Sequence, residues 1–181
     1  VDIGSGSVRF AKDYIGIDYH SEGHSHIDAL CHVAFDGFLF GGSPAASTTP
    51  RGAAVDTIEV LRNGLVGRAV MLDVPRVRNI RWVEPGDYVF REDLEAAEDE
   101  QGVTVGEGDI MLVRTGQLCR VRRDGWGSYA GGDAPGLSFT TADWLHDREI
   151  AAIATDTWGF EVRPNEFENA FQPLHQVVIP H

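Results

Sequence analysis

Four of the seven histidines, His20, His24, His26 and His32, fall within one segment, His20-Ser-Glu-Gly-His-Ser-His-Ile-Asp-Ala-Leu-Cys-His32. Glu22 and Asp28 lie in the same segment. Residues two apart on an extended chain share a face. An extended reading therefore puts positions 20, 22, 24, 26 and 28 on one side, and each of them is His, Glu or Asp. The residues between them, Ser21, Gly23, Ser25 and Ile27, are small or apolar and leave room beside an ion. Imidazole and carboxylate together suit Zn2+, Mn2+ or Fe2+. A carboxylate can also bridge two ions, and Asp28 is the candidate bridge. Cys31 is either a soft ligand or, as free cysteines more often are, a small core residue. The bland alternative is a chance histidine cluster. The coincidence of alternation, carboxylates and an apolar continuation (Ile27, Ala29, Leu30, Val33) favours a metal site.

A divalent ion polarises a carbonyl and acidifies its bound water to a pKa near ~7. Hydrolysis then needs a group that takes up a proton and delivers it to the leaving atom. Histidine titrates in the right range for both duties. His32 is the candidate, because it sits just outside the compact His26/Asp28 pair and returns to the same side if the chain turns helical there.

These side chains must be held by something, and the pattern supplies candidates. Residues 14–20 alternate enough to predict a strand leading into the histidines. Residues 56–64 read as a short helix capped by Asp56 and ended by Gly64. Residues 66–74 read as a buried strand, interrupted by Arg68. Residues 84–87 (Glu-Pro-Gly-Asp) form a turn. Arg91–Gln101 is an acidic amphipathic helix with Leu94, Ala97 and Ala96 inward and Gly102 as its stop. The acidic run from Glu92 to Glu107 is read as its wet face. Residues 109–115 give the clearest buried strand. The glycine-rich stretch 125–136 is a long surface loop, a lid or a plain connection. A helix opens at 140–143, residues 150–155 form a strand, 163–172 are irregular, and 173–179 read as a final strand. Strands and helices alternate unevenly, which predicts a mixed-sheet α/β domain rather than a regular doubly wound one.

Composition narrows the function. With 15 basic against 28 acidic residues the net charge is −13. Such a chain repels phosphate backbones and anionic membrane surfaces, so the expected partner is a small-molecule substrate, with no nucleic acid and no membrane. No apolar run reaches the length of a transmembrane helix, and the first residues lack the features of a signal peptide. Two cysteines make no disulfide framework, so the expected compartment is reducing cytoplasm.

The stretch His24-Ser-His-Ile-Asp-Ala-Leu-Cys-His32 resembles the signature of the putative cyclase family, His-x-Gly-Thr-His-x-Asp-x-Pro-x-His, a family that includes bacterial kynurenine formamidases and isatin hydrolases. The resemblance implies that His26 and Asp28 bind metal and that His32 is the general acid/base. Ser25 stands in place of Thr. Leu30 stands in place of Pro, as in the branch that carries Ala-Leu-Cys-His. The family's leading ligand histidine falls on Glu22 and its glycine on His24, so the first ligand is left as one of Glu22, His24 or His20. Residues 109–116 resemble the family's central strand, and 136–145 with 151–161 its later helix–strand unit. Pro173-Leu-His-Gln-Val-Val matches the place of a further ligand, His175. The family's next ligand is a glutamate beyond that histidine, whereas this chain stops at His181. The expectation is one domain over 1–181, incomplete at one or both ends, or a second metal position left unfilled. The resemblance further implies a swivelling β/β/α fold, one or two Zn2+ or Mn2+ ions, and assembly as a homodimer or homotetramer.

Two residues outside the cluster are candidate substrate contacts. Trp158 follows a strand and would line an aromatic pocket or else pack in the core. Arg114, at a strand end, would grip a carboxylate bidentately or form a structural ion pair. Helical His146 is read as solvated. The reading that gathers these observations is a metal-dependent hydrolase of a carbon–nitrogen bond in an amide, arylformamide or cyclic amide, working through a metal-activated water. Its rivals are a cupin-like Fe-dependent oxygenase and a non-catalytic metal-binding protein.

Overall fold

The structure, a computed structural model, describes residues 7, 10–20 and 24–181. A small antiparallel hairpin of β1 (Thr48–Thr49) and β2 (Gly52–Ala53) comes first. Then follow β3 (Ala69–Asp73), α1 (Val74–Val77), β4 (Tyr88–Val89), α2 (Arg91–Gln101), β5 (Ile110–Arg114), α3 (Gln117–Asp124), β6 (Gly136–Leu137), α4 (Ala142–Asp147), β7 (Ala152–Thr155) and α5 (His175–Val178). Strands β3, β5 and β7 form a parallel sheet with β5 in the centre, Leu72 facing Val113 and Val113 facing Thr155. Strands β4 and β6 make a separate parallel pair. Parallel and antiparallel pairs coexist, as the mixed α/β expectation requires. A cupin needs a jelly roll of two antiparallel sheets; the central parallel sheet is a different architecture and removes the cupin-like reading.

The sheet has one buried and one more open face. Val70 and Leu72 of β3 and Met111 and Val113 of β5 alternate into the core, while Met71 stands 49% exposed. The expected all-round burial of these strands is therefore half right in detail, because alternate residues of a strand point to opposite faces. Leu94 and Ala97 of α2 close the buried face, together with Leu137, Trp144, Leu145 and Leu174. Each of the buried leucines contributes about 1.5–3 kcal/mol by leaving water.

Helix α2 spans the residues its periodicity predicts. The Asp93 carboxylate accepts from the Phe90 N–H at 2.8 Å, and Gly102 ends the helix in the left-handed region at φ 64°. Its acidic face is not wholly wet. Glu98 is buried, accepting from the Val105 N–H at 2.6 Å and from Arg148 at 2.9 Å.

Three expected elements differ. Residues 14–18 form no strand; their side chains are exposed, so no neighbouring strand pairs with them to turn the alternation into a ladder. Residues 56–64 form only a short 3-10 turn at Ile58–Leu61. Asp56 does not cap it, because its own φ is 57° and Thr57 takes the cap position. The final segment is the helix α5 rather than a strand. Val177, Val178 and Ile179 suggest a strand by type, but the two N–H groups at the helix start, of Leu174 and His175, donate to the buried Glu161 carboxylate at 3.1 and 3.0 Å. That distant cap lets the turn form, and tertiary context overrides propensity. No helix among the described residues is long and apolar enough to cross a membrane.

Candidate metal centre

Two separate stretches supply the site. The first is the histidine segment. Residues 24–29 are irregular rather than extended in a sheet, and a turn closed by the His32 N–H to the Ala29 carbonyl (2.8 Å) redirects the chain. The next tie is the Cys31 N–H to the Asp56 carbonyl at 3.0 Å. The second stretch leaves the carboxyl end of β7, the end where open parallel sheets commonly bind ligands. Asp156 fixes its departure. One carboxylate oxygen accepts from the Thr115 N–H and hydroxyl, both at 2.7 Å, and the other from the Gly116 N–H at 2.9 Å.

From there the chain runs through Trp158, whose indole N–H donates to the Gly132 carbonyl at 3.0 Å. It continues to Phe160, packed against the His175 ring at a 37° tilt with centroids 4.3 Å apart, and to Glu161. Gly136 allows this passage, because a Cβ there would collide with the Glu161 backbone carbonyl. A Cβ on Gly159 would press on the Gln172 side-chain amide at 3.1 Å.

The two stretches meet at Asp28. Its Oδ1 lies 3.5 Å from His20 Nε2 and 3.5 Å from His26 Nε2, and its Oδ2 lies 3.9 Å from His175 Nε2. The His32 ring sits beside His20, with centroids 4.0 Å apart. His20, Asp28 and His32 offer ligand atoms that all lie within 4.8 Å of one another. These residues line a cavity of about 240 Å3, which Trp158, Phe171 and Gln172 complete.

The donor set fits a divalent ion. Asp28 Oδ1 is buried and has no hydrogen-bond partner among the described residues, a costly state for a carboxylate oxygen. Its 3.5 Å spacings to two ring nitrogens are too long for hydrogen bonds. They match the edge of ~3.4 Å that a tetrahedron with metal–ligand bonds of ~2.1 Å would have. His32 is held below the usual histidine range, chiefly because its ring is desolvated. Asp28 opposes that shift, and His20, His175 and His26 add to it.

Of the residues singled out by sequence, the structure brings together His20, His26, Asp28, His32, His175 and Trp158. His24 is not in the cavity lining; its ring lies 6.3 Å from that of His26 and 5.7 Å from that of Tyr19. The period-two argument placed it with the others, but the segment is not a strand. Glu22 lies outside the described residues. Arg114 is engaged elsewhere, its Nη1 2.6 Å from Asp73 Oδ1, and it does not line the cavity. That is the structural ion pair weighed against substrate binding, and it arises because β3 and β5 pair Asp73 directly with Arg114. His146 is exposed at the end of α4. Phe171 and Gln172 line the cavity without any sequence signal, since they lie in an irregular loop.

Comparison with known proteins follows the same direction. The profile of a family described as putative cyclase matches residues 9–162, well over half of the chain. A crystal structure described as a novel cyclase is similar over 98% of this chain, with a TM-score of 0.75 and 25% identity. Isatin hydrolase A from Ralstonia solanacearum aligns over 62% of this chain at 21% identity, with a TM-score of 0.49. Isatin hydrolase A from Labrenzia aggregata, bound to benzyl benzoate, aligns over 71% at 22% identity, with a TM-score of 0.46. The chain spans 57% of the length of the cyclase structure and 43% and 47% of the two hydrolases. None of the curated proteins compared with the sequence matches it.

Proposed function

From the premise that the chain belongs to the putative cyclase family, we propose that it is a metal-dependent hydrolase of a carbon–nitrogen bond in an amide, arylformamide or cyclic amide. The observation that carries this reading is the buried Asp28 Oδ1, without a hydrogen bond among the described residues, facing two imidazole nitrogens at 3.5 Å. Asp28, His26 and His20 would hold the ion through Oδ1 and two Nε2 atoms, with His175 approaching Oδ2 from the other stretch. Zn2+ and Mn2+ both suit this set of imidazole and carboxylate donors. Such an ion supplies Lewis acidity to a carbonyl and acidifies a water.

The protein's own groups do the rest. His32, beside His20 in the cluster, takes the proton of the attacking water and returns it to the departing nitrogen. Trp158 and Phe171 give the small-molecule substrate two apolar walls, and Gln172 a polar contact, in a cavity of about 240 Å3. The same reading carries assembly into homodimers or homotetramers, which light scattering checks by molar mass.

The deciding experiment is His32→Ala. Elemental analysis should find the ion retained, while turnover of an amide, lactam and arylformamide panel falls by about 10²–10⁴. Unchanged turnover removes His32 from the chemistry, and loss of the ion makes it a ligand instead. Metal-loaded wild-type protein that turns over no member of the panel would count against this reading and in favour of the non-catalytic metal-binding one.

A further inference from the structure

Glu161 is 3% exposed, and its one ion-pair partner among the described residues is His175. A buried carboxylate is costly unless its lone pairs are filled. Here they are filled by three donors. Oε1 lies 2.6 Å from His175 Nδ1 and accepts from the His175 N–H at 3.0 Å, while Oε2 accepts from the Leu174 N–H at 3.1 Å. The backbone on either side is fixed as well. The Leu137 N–H donates to the Phe160 carbonyl at 2.9 Å, and the Val162 N–H donates to the Leu137 carbonyl at 3.1 Å. The carboxylate therefore has little freedom, and it faces the ring nitrogen remote from Asp28.

We propose that Glu161 is the positioning residue of the metal centre: it holds the proton of His175 on Nδ1, so that Nε2 presents a bare lone pair toward Asp28 and an ion. A carboxylate accepts and does not donate, so the 2.6 Å contact requires the hydrogen to sit on Nδ1. The tautomer leaves Nε2 as the acceptor, and Nε2 is the atom 3.9 Å from Asp28 Oδ2. Such carboxylate–imidazole pairs orient a metal-binding ring and raise its basicity. The inference rests on the proposed role of His175 as a ligand. A carboxylate that merely caps α5 would need only the two N–H contacts and would be indifferent to the ring.

The test begins with the wild-type protein. Ring 15N shifts of His175, measured metal-free at alkaline pH where imidazole is neutral, should report the Nδ1–H tautomer. An Nε2–H tautomer overturns the proposal and needs no variant to show it. The second arm uses Glu161→Gln, whose carbonyl in the place of Oε2 still accepts from the Leu174 N–H while its amide in the place of Oε1 gives up the His175 N–H, faces Nδ1 and selects the other tautomer. Its affinity for Zn2+ and for Mn2+, each alone and read by competition with a chromogenic chelator, should fall about 10–100-fold. Unchanged affinity in a folded Glu161→Gln protein overturns the proposal. His175→Ala separates the two levels: if that variant binds either ion as tightly as wild type, His175 is no ligand and the parent reading of the site fails. If His175→Ala weakens binding and Glu161→Gln does not, only the positioning role falls.

Discussion

In the centre of the sheet Met111 and Val113 are closed off from solvent, whereas Tyr14 and Ile15 in the N-terminal stretch stand 91% and 86% exposed. Both runs are apolar, yet only the first is buried. The metal centre is built across this difference. His175 comes from the ordered side, with its ring nitrogen, its backbone N–H and its neighbour's N–H all gathered by one carboxylate. His20, His26 and Asp28 come from the stretch without regular structure, and Asp28 faces its histidines at 3.5 Å rather than through hydrogen bonds. One half of the site is preorganised by the fold. The other half converges on a point where a cation would be the element that ties it.

The largest effect expected from this contrast is on the ordered side. Leu72 is fully buried in β3 beside Val113. Leu72→Ala should lower the unfolding free energy by about 2–5 kcal/mol, through lost burial and the cavity left behind. Denaturant titration of the metal-free protein measures it. A change under about 1 kcal/mol would mean that the sheet is not the part that sets stability.

The same contrast explains what could be read from sequence. Helix α2 was legible to its ends, because its period, its acidic start and Gly102 all agree. Strand β5 was legible because its apolar run is flanked by Asp109 and Gly116. Asp28, His26 and His32 were legible as chemistry because ligand types cluster in few residues. Their geometry was not, since an alternating pattern predicts a strand only where a second strand pairs with it, and none pairs with residues 24–29. Helix α5 was hidden for a related reason: the group that caps it, Glu161, is 14 residues upstream of His175. Glu161 has no local signal of this role, because its importance lies in a contact that no local spacing encodes. Arg114 shows the converse, a strand-end arginine whose partner Asp73 comes from a strand far away in sequence.

A cation should act mainly on the less ordered half. Few buried apolar contacts hold residues 10–20 and 24–32, and such regions open easily. Limited proteolysis within them should slow as Zn2+ or Mn2+ is added, by up to about 100-fold when the free ion is near 100 times its Kd, because cleavage then requires release of the ion. Equal cleavage rates with and without the ion would break the claim that the cation ties this half to His175.

The smallest effect should come from the exposed apolar residues that make the comparison visible. Tyr14 is 91% exposed, so truncating it removes almost no area that folding has taken from water. Tyr14→Ala should therefore change stability by less than about 0.5 kcal/mol in dilute metal-free protein, as surface substitutions generally do. The measurement should be repeated across protein concentration. If copies of the chain cover Tyr14 on association, the cost of the substitution grows with concentration, since whatever binds only the folded state adds to its stability. A cost near 2 kcal/mol that is independent of concentration would show Tyr14 packed within its own chain, and the two regions would then differ less than their exposures indicate.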